Sequence, residues 1–309
     1  MNNSNEPLVS IIMNCFNGEQ FLNESINSVI NQEYQNWELI FWDNKSTDKS
    51  SDIVSSYSDL RIKYFLSDDF TSLGQARNLA ISKASGEYIG FLDTDDLWFE
   101  DKLKLQIPKF LYDKDVGIVI CNTIFFNKHR EKVYYKTPPK QGYVFRNLLK
   151  SYYISLETVL IRKDSLSNLN YFFSENYNII EEFDFLVRLS KHVKLSYVNK
   201  VLSKWRIHPN SLTWEKKYLY PIELESFINN LIATNPNFEE EYDSEINFLK
   251  RKINLKKIQL AIQNNDRKSA FLIVKMIKPL YFRFLIFIII LLPHFFLRLI
   301  LKLSGRLST

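Results

Sequence analysis

The sequence predicts an α/β fold with a largely parallel sheet, because short apolar runs alternate with helical segments over the N-terminal third. The run at 8–13 is continuously apolar, as expected of a strand that is buried on both faces of a sheet. In the segment after it, Leu22, Ile26 and Val29 fall on one face of a helix. Repetition of this pattern implies right-handed βαβ units. The predicted strands are 8–13, 37–42, 62–66 and 88–92, and the predicted helices are 19–32, 49–55 and 73–84.

Beyond residue 96 the alternation becomes less regular, which favours a mixed central sheet. The predicted elements here are helices 102–112 and 182–191 and strands 117–122, 157–162 and 195–207, followed by a helical stretch. We therefore expect an α/β domain over 1–213, a helical extension over 214–275, and an apolar and basic segment over 276–309.

Composition places the chain among ordinary globular proteins. Of its 309 residues, 46% are hydrophobic and 24% are charged, which excludes disordered and fibrous classes. Cys15 and Cys121 show no pairing pattern, so neither a disulfide scaffold nor a cysteine zinc site is expected. The glycine-rich dinucleotide loop and the P-loop are both absent from the sequence, which disfavours dehydrogenases and P-loop NTPases.

The net charge of +5 comes entirely from the C-terminal end. Residues 275–309 carry six basic and no acidic side chains, which leaves 34 basic and 35 acidic residues over 1–274. A nearly neutral body lacks the basic stripe of a nucleic-acid-binding surface, so no nucleic-acid partner is expected. The six basic residues are Lys275, Lys278, Arg283, Arg298, Lys302 and Arg306.

The C-terminal segment predicts an association with a membrane surface. Residues 284–297 are apolar on every side of a helix, whereas a soluble helix keeps a polar stripe. This run is shorter than the roughly 20 residues needed to span a bilayer, and Pro293 tends to break a longer helix. The flanking basic side chains can reach anionic headgroups. The residues MNNSNEP show neither a basic nor an apolar signal-peptide region, so no secretory signal is expected. We expect a monotopic or re-entrant segment on the cytoplasmic face; a buried core helix, an oligomer contact and a span over 284–301 are alternatives.

Three polar clusters directly follow predicted strands, at 14–17, 43–44 and 93–96. Ligands of such sheets bind beyond the carboxyl ends of the strands, so these clusters predict the site. Asp93 and Asp95 stand two apart, and in extended chain both carboxylates project to the same side. Paired carboxylates suit Mg²⁺ or Mn²⁺, which would neutralise the charge of a departing phosphate. A solvated acidic turn is the alternative interpretation.

Other candidate residues have both a functional and a structural interpretation. Asp43 can accept from the N–H edge of a pyrimidine, while the residues after it suit helix capping. A carboxylate at 181, 182 or 184 can act as a general base or simply stabilise a helix N-terminus. His208, close to Arg206, can bind a phosphate, complete a metal shell or be structural.

Taken together, five stretches resemble family 2 glycosyltransferases, the inverting nucleotide-sugar enzymes of GT-A fold. They occur in the order typical of that family over residues 8–213. The stretches are VSIIMNCFNGEQFLNESINSVINQ, WELIFWDNKSTDKS, ARNLAISKASGEYIGFLDTDDLW, EEFDFLVRLS and WRIHPNSLT.

The resemblance implies roles for individual residues. Asp95 would be the direct ligand of Mn²⁺ or Mg²⁺, with Asp93 and His208 beside it. Glu182 would be the catalytic base, although the family normally has Asp there, so that Glu181 and Asp184 stay open as alternatives. Asn44 replaces a second acidic residue of the usual pattern and receives no role. The resemblance assigns nucleotide-sugar binding to Asn14, Phe16, Asn17, Glu19, Asp43, Arg77, Asp93 and Thr94, with Asp43 at the base and Arg77 near the diphosphate.

The reaction implied by the resemblance is a single in-line displacement at the anomeric carbon. UDP-sugars are the default donors, with GDP- and dTDP-sugars as alternatives. A membrane segment agrees with a lipid-linked acceptor, or a saccharide acceptor, in the assembly of a surface polysaccharide such as O-antigen, capsule or lipooligosaccharide. A nucleotidyltransferase, a polyprenyl-phosphate glycosyltransferase and a non-catalytic nucleotide-sugar-binding membrane protein are the competing hypotheses.

Overall fold

The computed structural model describes residues 6–208, 216–277 and 280–291. The chain divides into two compact units, Met1–Glu215 and Lys216–Thr309, and each is described by itself.

The first half of the N-terminal unit is a parallel sheet with the spatial order β3-β2-β1-β4. All residues of β2 are buried, as its continuous apolar run predicts, whereas the edge strand β3 is partly exposed. The strands and helices confirm the predicted alternation. They are β1 (Val9–Cys15), α1 (Leu22–Ile30), β2 (Trp37–Asp43), α2 (Ser50–Ser55), β3 (Ile62–Leu66), α3 (Leu73–Ser82) and β4 (Tyr88–Phe91).

The second half extends the same sheet with mixed strand directions, as predicted. The order continues β4-β8-β6-β9-β5; β8 runs antiparallel to both β4 and β6, while β6 and β9 are parallel. The short strand β7 pairs with β6. The elements are β5 (Leu97–Trp98), α4 (Lys102–Tyr112), β6 (Val116–Phe126), β7 (Glu131–Val133), α5 (Phe145–Lys150), β8 (Leu160–Arg162), α6 (Glu181–Ser190) and β9 (Lys194–Arg206).

The predicted strand over 157–162 is only half correct. Its first part is a 3₁₀ turn, Leu156–Thr158, and only Leu160–Arg162 pairs in the sheet. Glu157 and Thr158 of the turn are buried, as are Leu160 and Ile161 of the strand, and a short run of this kind does not separate a buried turn from a buried strand. The sequence also missed β5, β7 and α5, which are short; β7 is fully exposed and therefore shows no alternation of polar and apolar residues.

The main core lies against the sheet and contains Cys15 and Cys121, both as free thiols. Burial raises the pKa of Cys121 to about 11, so this thiol stays protonated at neutral pH.

The C-terminal unit is helical, in agreement with the helical pattern predicted for its described part. Its helices are α7 (Tyr220–Thr234), α8 (Phe238–Glu241), α9 (Asp243–Gln263), α10 (Arg267–Val274) and α11 (Leu280–Leu291). A small core joins α9, α10 and α11 through Ile258, Ile262, Val274, Ile286 and Ile290, among others.

Helix α11 contains the start of the apolar run predicted to contact a membrane. It buries Ile286 and Ile290 but exposes Leu280, Phe284 and Ile288. Within the described ranges, none of the helices combines the length and the apolar character that crossing a bilayer requires. The remainder of the predicted segment, from residue 292 onward, lies outside the described residues.

Candidate functional site

Two loops at the carboxyl ends of β1 and β2 are joined by hydrogen bonds between side chains and backbone. Asn17 adopts a positive φ of 55°, and its Oδ1 accepts from the Thr47 amide at 2.8 Å. The Asn17 amide in turn donates to Ser46 Oγ. Between the same two loops, the Glu19 amide donates to Asp48 Oδ2. The polar residues that suited helix capping therefore also fix the loop that contains the predicted donor residues Asn17 and Glu19.

Asp43 lies at the end of β2 and is 1% exposed. Its Oδ1 accepts from the Ser46 amide at 2.7 Å, and its Oδ2 accepts from the Tyr64 hydroxyl at 2.8 Å. The carboxylate is thus held in one orientation at the sheet edge. Tyr64, which the sequence analysis did not single out, is the residue that completes this arrangement.

Polar and aromatic groups accompany Asp43 at this edge. The buried Nδ2 of Asn14 has no hydrogen-bond partner among the residues that the structure describes. Phe16 is 51% exposed and contacts the exposed ring of Phe70, with 4.6 Å between the ring centroids. An unsatisfied hydrogen-bond donor and two solvent-facing rings are features of a ligand site rather than of a hydrophobic core.

The loop after β4 carries the predicted metal ligands. Asp95 Oδ2 lies 2.7 Å from His208 Nε2, and both side chains are partly exposed. Arg206 fixes this loop, because its amide donates to Asp96 Oδ1 and its Nε donates to the Asp95 carbonyl. The Thr94 carbonyl accepts from Ser25 Oγ of α1. The structure therefore brings residues separated by more than a hundred positions into one site.

Arg77 links the β4 loop to the helix that carries the candidate base. Its Nη1 lies 2.9 Å from Glu181 Oε1, and its Nη2 lies 3.2 Å from Asp93 Oδ1. The Arg77 side chain is only 3% exposed. Its predicted contact with a diphosphate stays a prediction; what the structure shows is a buried bridge between two carboxylates.

The first turn of α6 presents three carboxylates in different surroundings. Glu181 is held by Arg77, and Asp184 forms an ion pair with Arg188 at 2.6 Å and accepts from Tyr171. Glu182 is half-buried. Burial and the neighbouring Glu181 charge raise the pKa of Glu182 to about 8, against the opposing effect of Arg77.

The donor set at Asp95 and His208 fits a divalent ion. Carboxylate oxygen and imidazole nitrogen suit Mn²⁺, and carboxylate oxygen also suits Mg²⁺. Neither at this site nor at any other place in the described chain are three or more His, Cys, Asp or Glu side chains arranged to hold a metal. An ion between Asp95 and His208 would complete its coordination with oxygens from a bound phosphate or water.

The chain belongs to the family described as Glycosyl transferase family 2, whose pattern matches residues 10–169. It is a glycosyltransferase. It is 32% identical over 211 residues to the Escherichia coli UDP-Glc:alpha-D-GlcNAc-diphosphoundecaprenol beta-1,3-glucosyltransferase WfgD, which covers 68% of this chain and 81% of that protein. The putative teichuronic acid biosynthesis glycosyltransferase TuaG of Bacillus subtilis is 26% identical over 214 residues, covering 68% and 83%.

Solved structures with the same fold identify the architecture as GT-A-like. S. aureus TarS 1–349 in complex with UDP superposes with a TM-score of 0.54 at 19% identity, covering 85% of this chain and 87% of that chain. The mannosyltransferase PcManGT from Pyrobaculum calidifontis, in complex with GDP-Man and Mn²⁺, gives a TM-score of 0.61 at 16% identity, covering 88% and 75%.

Proposed function

We propose that this glycosyltransferase is metal-dependent and inverting, and that it moves a sugar from a UDP-sugar to a hydroxyl of a lipid-linked saccharide. The observation that carries the proposal is that Arg77 contacts both Asp93, two residues before Asp95, and Glu181, the residue before Glu182. Together with the contact between Asp95 and His208, it supports a metal site and a base close to one another.

In the proposed reaction Glu182 is the base. Its raised pKa makes it a stronger base than an ordinary carboxylate, while Asp184 is neutralised by Arg188 and Glu181 by Arg77. Glu182 takes the proton of the acceptor hydroxyl as the oxygen bonds to the anomeric carbon and the bond to the nucleotide diphosphate breaks. One displacement inverts the configuration. A divalent ion held by Asp95 and His208 would supply Lewis-acid stabilisation of the leaving diphosphate.

The donor nucleotide would occupy the edge formed by the β1 and β2 loops. Asp43 would accept from the base, as predicted, with Tyr64 fixing its orientation, and the Asn14 amide would find a partner in the ligand. UDP is favoured because WfgD is a UDP-Glc-dependent glucosyltransferase and because the TarS structure is a complex with UDP.

We further propose a lipid-linked acceptor and a role in surface-polysaccharide assembly. The names of WfgD and TuaG, which specify a diphosphoundecaprenol acceptor and teichuronic acid biosynthesis, support this assignment. The exposed apolar residues of α11 and the basic C-terminal sequence support peripheral binding to the cytoplasmic face of the membrane.

A thermal-shift experiment tests the donor and metal assignments together. Binding to the native state raises the melting temperature, so we expect a shift with UDP-sugar and Mn²⁺ that is lost in Asp95→Asn. Glu182→Gln should keep that shift and lose about 10²- to 10⁴-fold in transfer rate. The exposed Asp69→Asn is the matched control and should behave as the wild type. A shift that is independent of Mn²⁺ and of Asp95 would contradict the metal assignment.

A further inference from the structure

The 3₁₀ turn Leu156–Thr158 is fixed by three buried side chains from two other elements. Trp98 Nε1 of β5 donates to the Glu157 carbonyl at 2.8 Å. The Thr158 carbonyl accepts from Gln106 Nε2 at 2.9 Å and from Lys102 Nζ at 3.3 Å, both on α4. Burial lowers the pKa of Lys102 to about 8, so keeping this ammonium group charged inside the protein costs free energy. The turn is therefore held by three hydrogen bonds from buried side chains to its Glu157 and Thr158 carbonyls.

The turn presents an incompletely bonded carboxylate, that of Glu157. The residue is 3% exposed, and its Oε2 accepts from Ser155 Oγ at 2.6 Å. Its Oε1 is buried and has no partner within hydrogen-bond distance among the described residues. Burial raises the pKa of Glu157, and the nearby Ser155 and Thr123 hydroxyls oppose that rise. The Thr123 hydroxyl has no bonded partner within hydrogen-bond distance in the described part of the chain. A buried acceptor without a donor is costly unless a ligand or water supplies one.

The surroundings of Glu157 are aromatic and lie next to the candidate base. Burial raises the pKa of Tyr134, and the charges of Glu157 and Glu182 raise it further. The pKa of Glu182 is raised mainly by burial, with a smaller contribution from the Glu157 charge. Tyr134 packs on Tyr135 with 4.6 Å between ring centroids. The buried hydroxyl of Tyr152, whose pKa is raised by burial and then by the Glu182 charge, has no hydrogen-bond partner within the described ranges.

We propose that Glu157 is a specificity residue for the acceptor: its Oε1 accepts a hydrogen bond from one hydroxyl of the acceptor saccharide, while the adjacent tyrosine rings pack against the sugar. This inference rests on the proposed function, since it presumes a saccharide acceptor that Glu182 deprotonates. Aromatic walls with a few fixed polar groups are typical of small-ligand sites. A site that bonds a substrate hydroxyl strongly rejects analogues that lack it.

The test uses the full-length protein with Glu157→Met, which keeps the approximate side-chain volume and removes both oxygens. The acceptor probe is an α-linked N-acetylhexosamine on a diphosphate with a short alkyl chain, with a series of analogues that each lack one hydroxyl. A hydrogen bond to a charged group predicts a rise of about 10- to 100-fold in acceptor KM. Donor KM and donor hydrolysis should be unchanged, because Glu157 does not contact the nucleotide edge.

The deoxy series identifies the interaction. One deoxy analogue should lose the same factor with the wild type as Glu157→Met loses with the parent probe, and should lose nothing further with the variant. Additive losses for every analogue would overturn the proposal. The melting temperature should stay the same or rise in Glu157→Met, because an unsatisfied carboxylate is removed.

Glu38→Met is the matched control. Glu38 is also a buried glutamate of this sheet, but its oxygens accept from Ser10, Ser85 and Lys63. It should lose melting temperature without any change in acceptor KM. If Glu157→Met behaved in the same way, its carboxylate would be structural and the proposal refuted. Absence of transfer and of donor hydrolysis in the wild type would instead refute the proposed function.

Discussion

Replacing Arg77 with Met is expected to destabilise the N-terminal unit strongly. Arg77 is 3% exposed and is the cation that the structure places between Glu181 and Asp93. The Glu181 side chain is 6% exposed and loses its partner in a dry environment, whereas that of Asp93 is 43% exposed and can be hydrated. Breaking a buried pair from one side costs about 3–5 kcal/mol. For a domain of this size each kcal/mol lowers Tm by about 2–4 °C, so the loss should be about 6–20 °C.

The pH dependence of that loss follows from the sign of the pKa change. Without Arg77 the pKa of Glu181, already raised by burial, rises further. The penalty exists only where Glu181 is ionised, so it should be larger at about pH 8.5 than at about pH 6. Differential scanning calorimetry of the wild type and Arg77→Met at both pH values measures this difference.

Two companion variants make the Arg77 experiment decisive. Arg77→Met combined with Glu181→Gln should recover most of the lost stability, because the uncompensated buried charge is gone. Lys104→Met removes an exposed partner of Glu33 and should leave Tm unchanged. A loss below about 1 kcal/mol in Arg77→Met, or a loss that does not vary with pH, would refute the reasoning.

Two further predictions concern the base and the membrane. Burial and the Glu181 charge raise the pKa of Glu182, so Glu181→Gln should lower that pKa and should let kcat/KM keep its high value to more acidic pH. A pH profile of kcat/KM that moved to higher pH would contradict the electrostatic argument. Replacing the exposed Leu280, Phe284 and Ile288 with Ser should abolish co-sedimentation of the protein with anionic vesicles. The control Leu60→Ser, at a residue that is 94% exposed in the other unit, should leave co-sedimentation unchanged. Unchanged sedimentation of the triple variant would contradict the membrane assignment.

The sequence was sufficient to predict the parallel half of the sheet. Its strands are buried on both faces, so their apolar runs are continuous, and the intervening helices show the helical period. Turns and edge strands were harder to predict. In the run at 157–162 the turn residues Glu157 and Thr158 are as buried as Leu160 and Ile161 of the strand, and only the hydrogen bonds of the folded chain distinguish the two.

The site was predictable in its loops but not in its contacts. The polar clusters at strand ends located the sheet edge, as the parallel topology requires. The bridge from Arg77 to Glu181 joins residues 104 positions apart, and no spacing rule predicts it. The same holds for Tyr64 with Asp43 and for Glu157, whose importance depends on an oxygen that lacks a bonded partner in the described structure.

The position of His208 depends on the pairing of a long strand. Between Val198 and Ser203, β9 accommodates a two-step irregularity opposite Cys121, Asn122 and Thr123, after which its residues pair regularly from Ser203 to Arg206, which lies opposite Phe126. Removing one residue after this irregularity would turn the following side chains to the other face and shift them by about 3.3 Å. The 2.7 Å contact between His208 Nε2 and Asp95 Oδ2 would then be lost. Single-residue insertions and deletions between 203 and 207 should therefore lower the transfer rate far more than substitutions at the same positions.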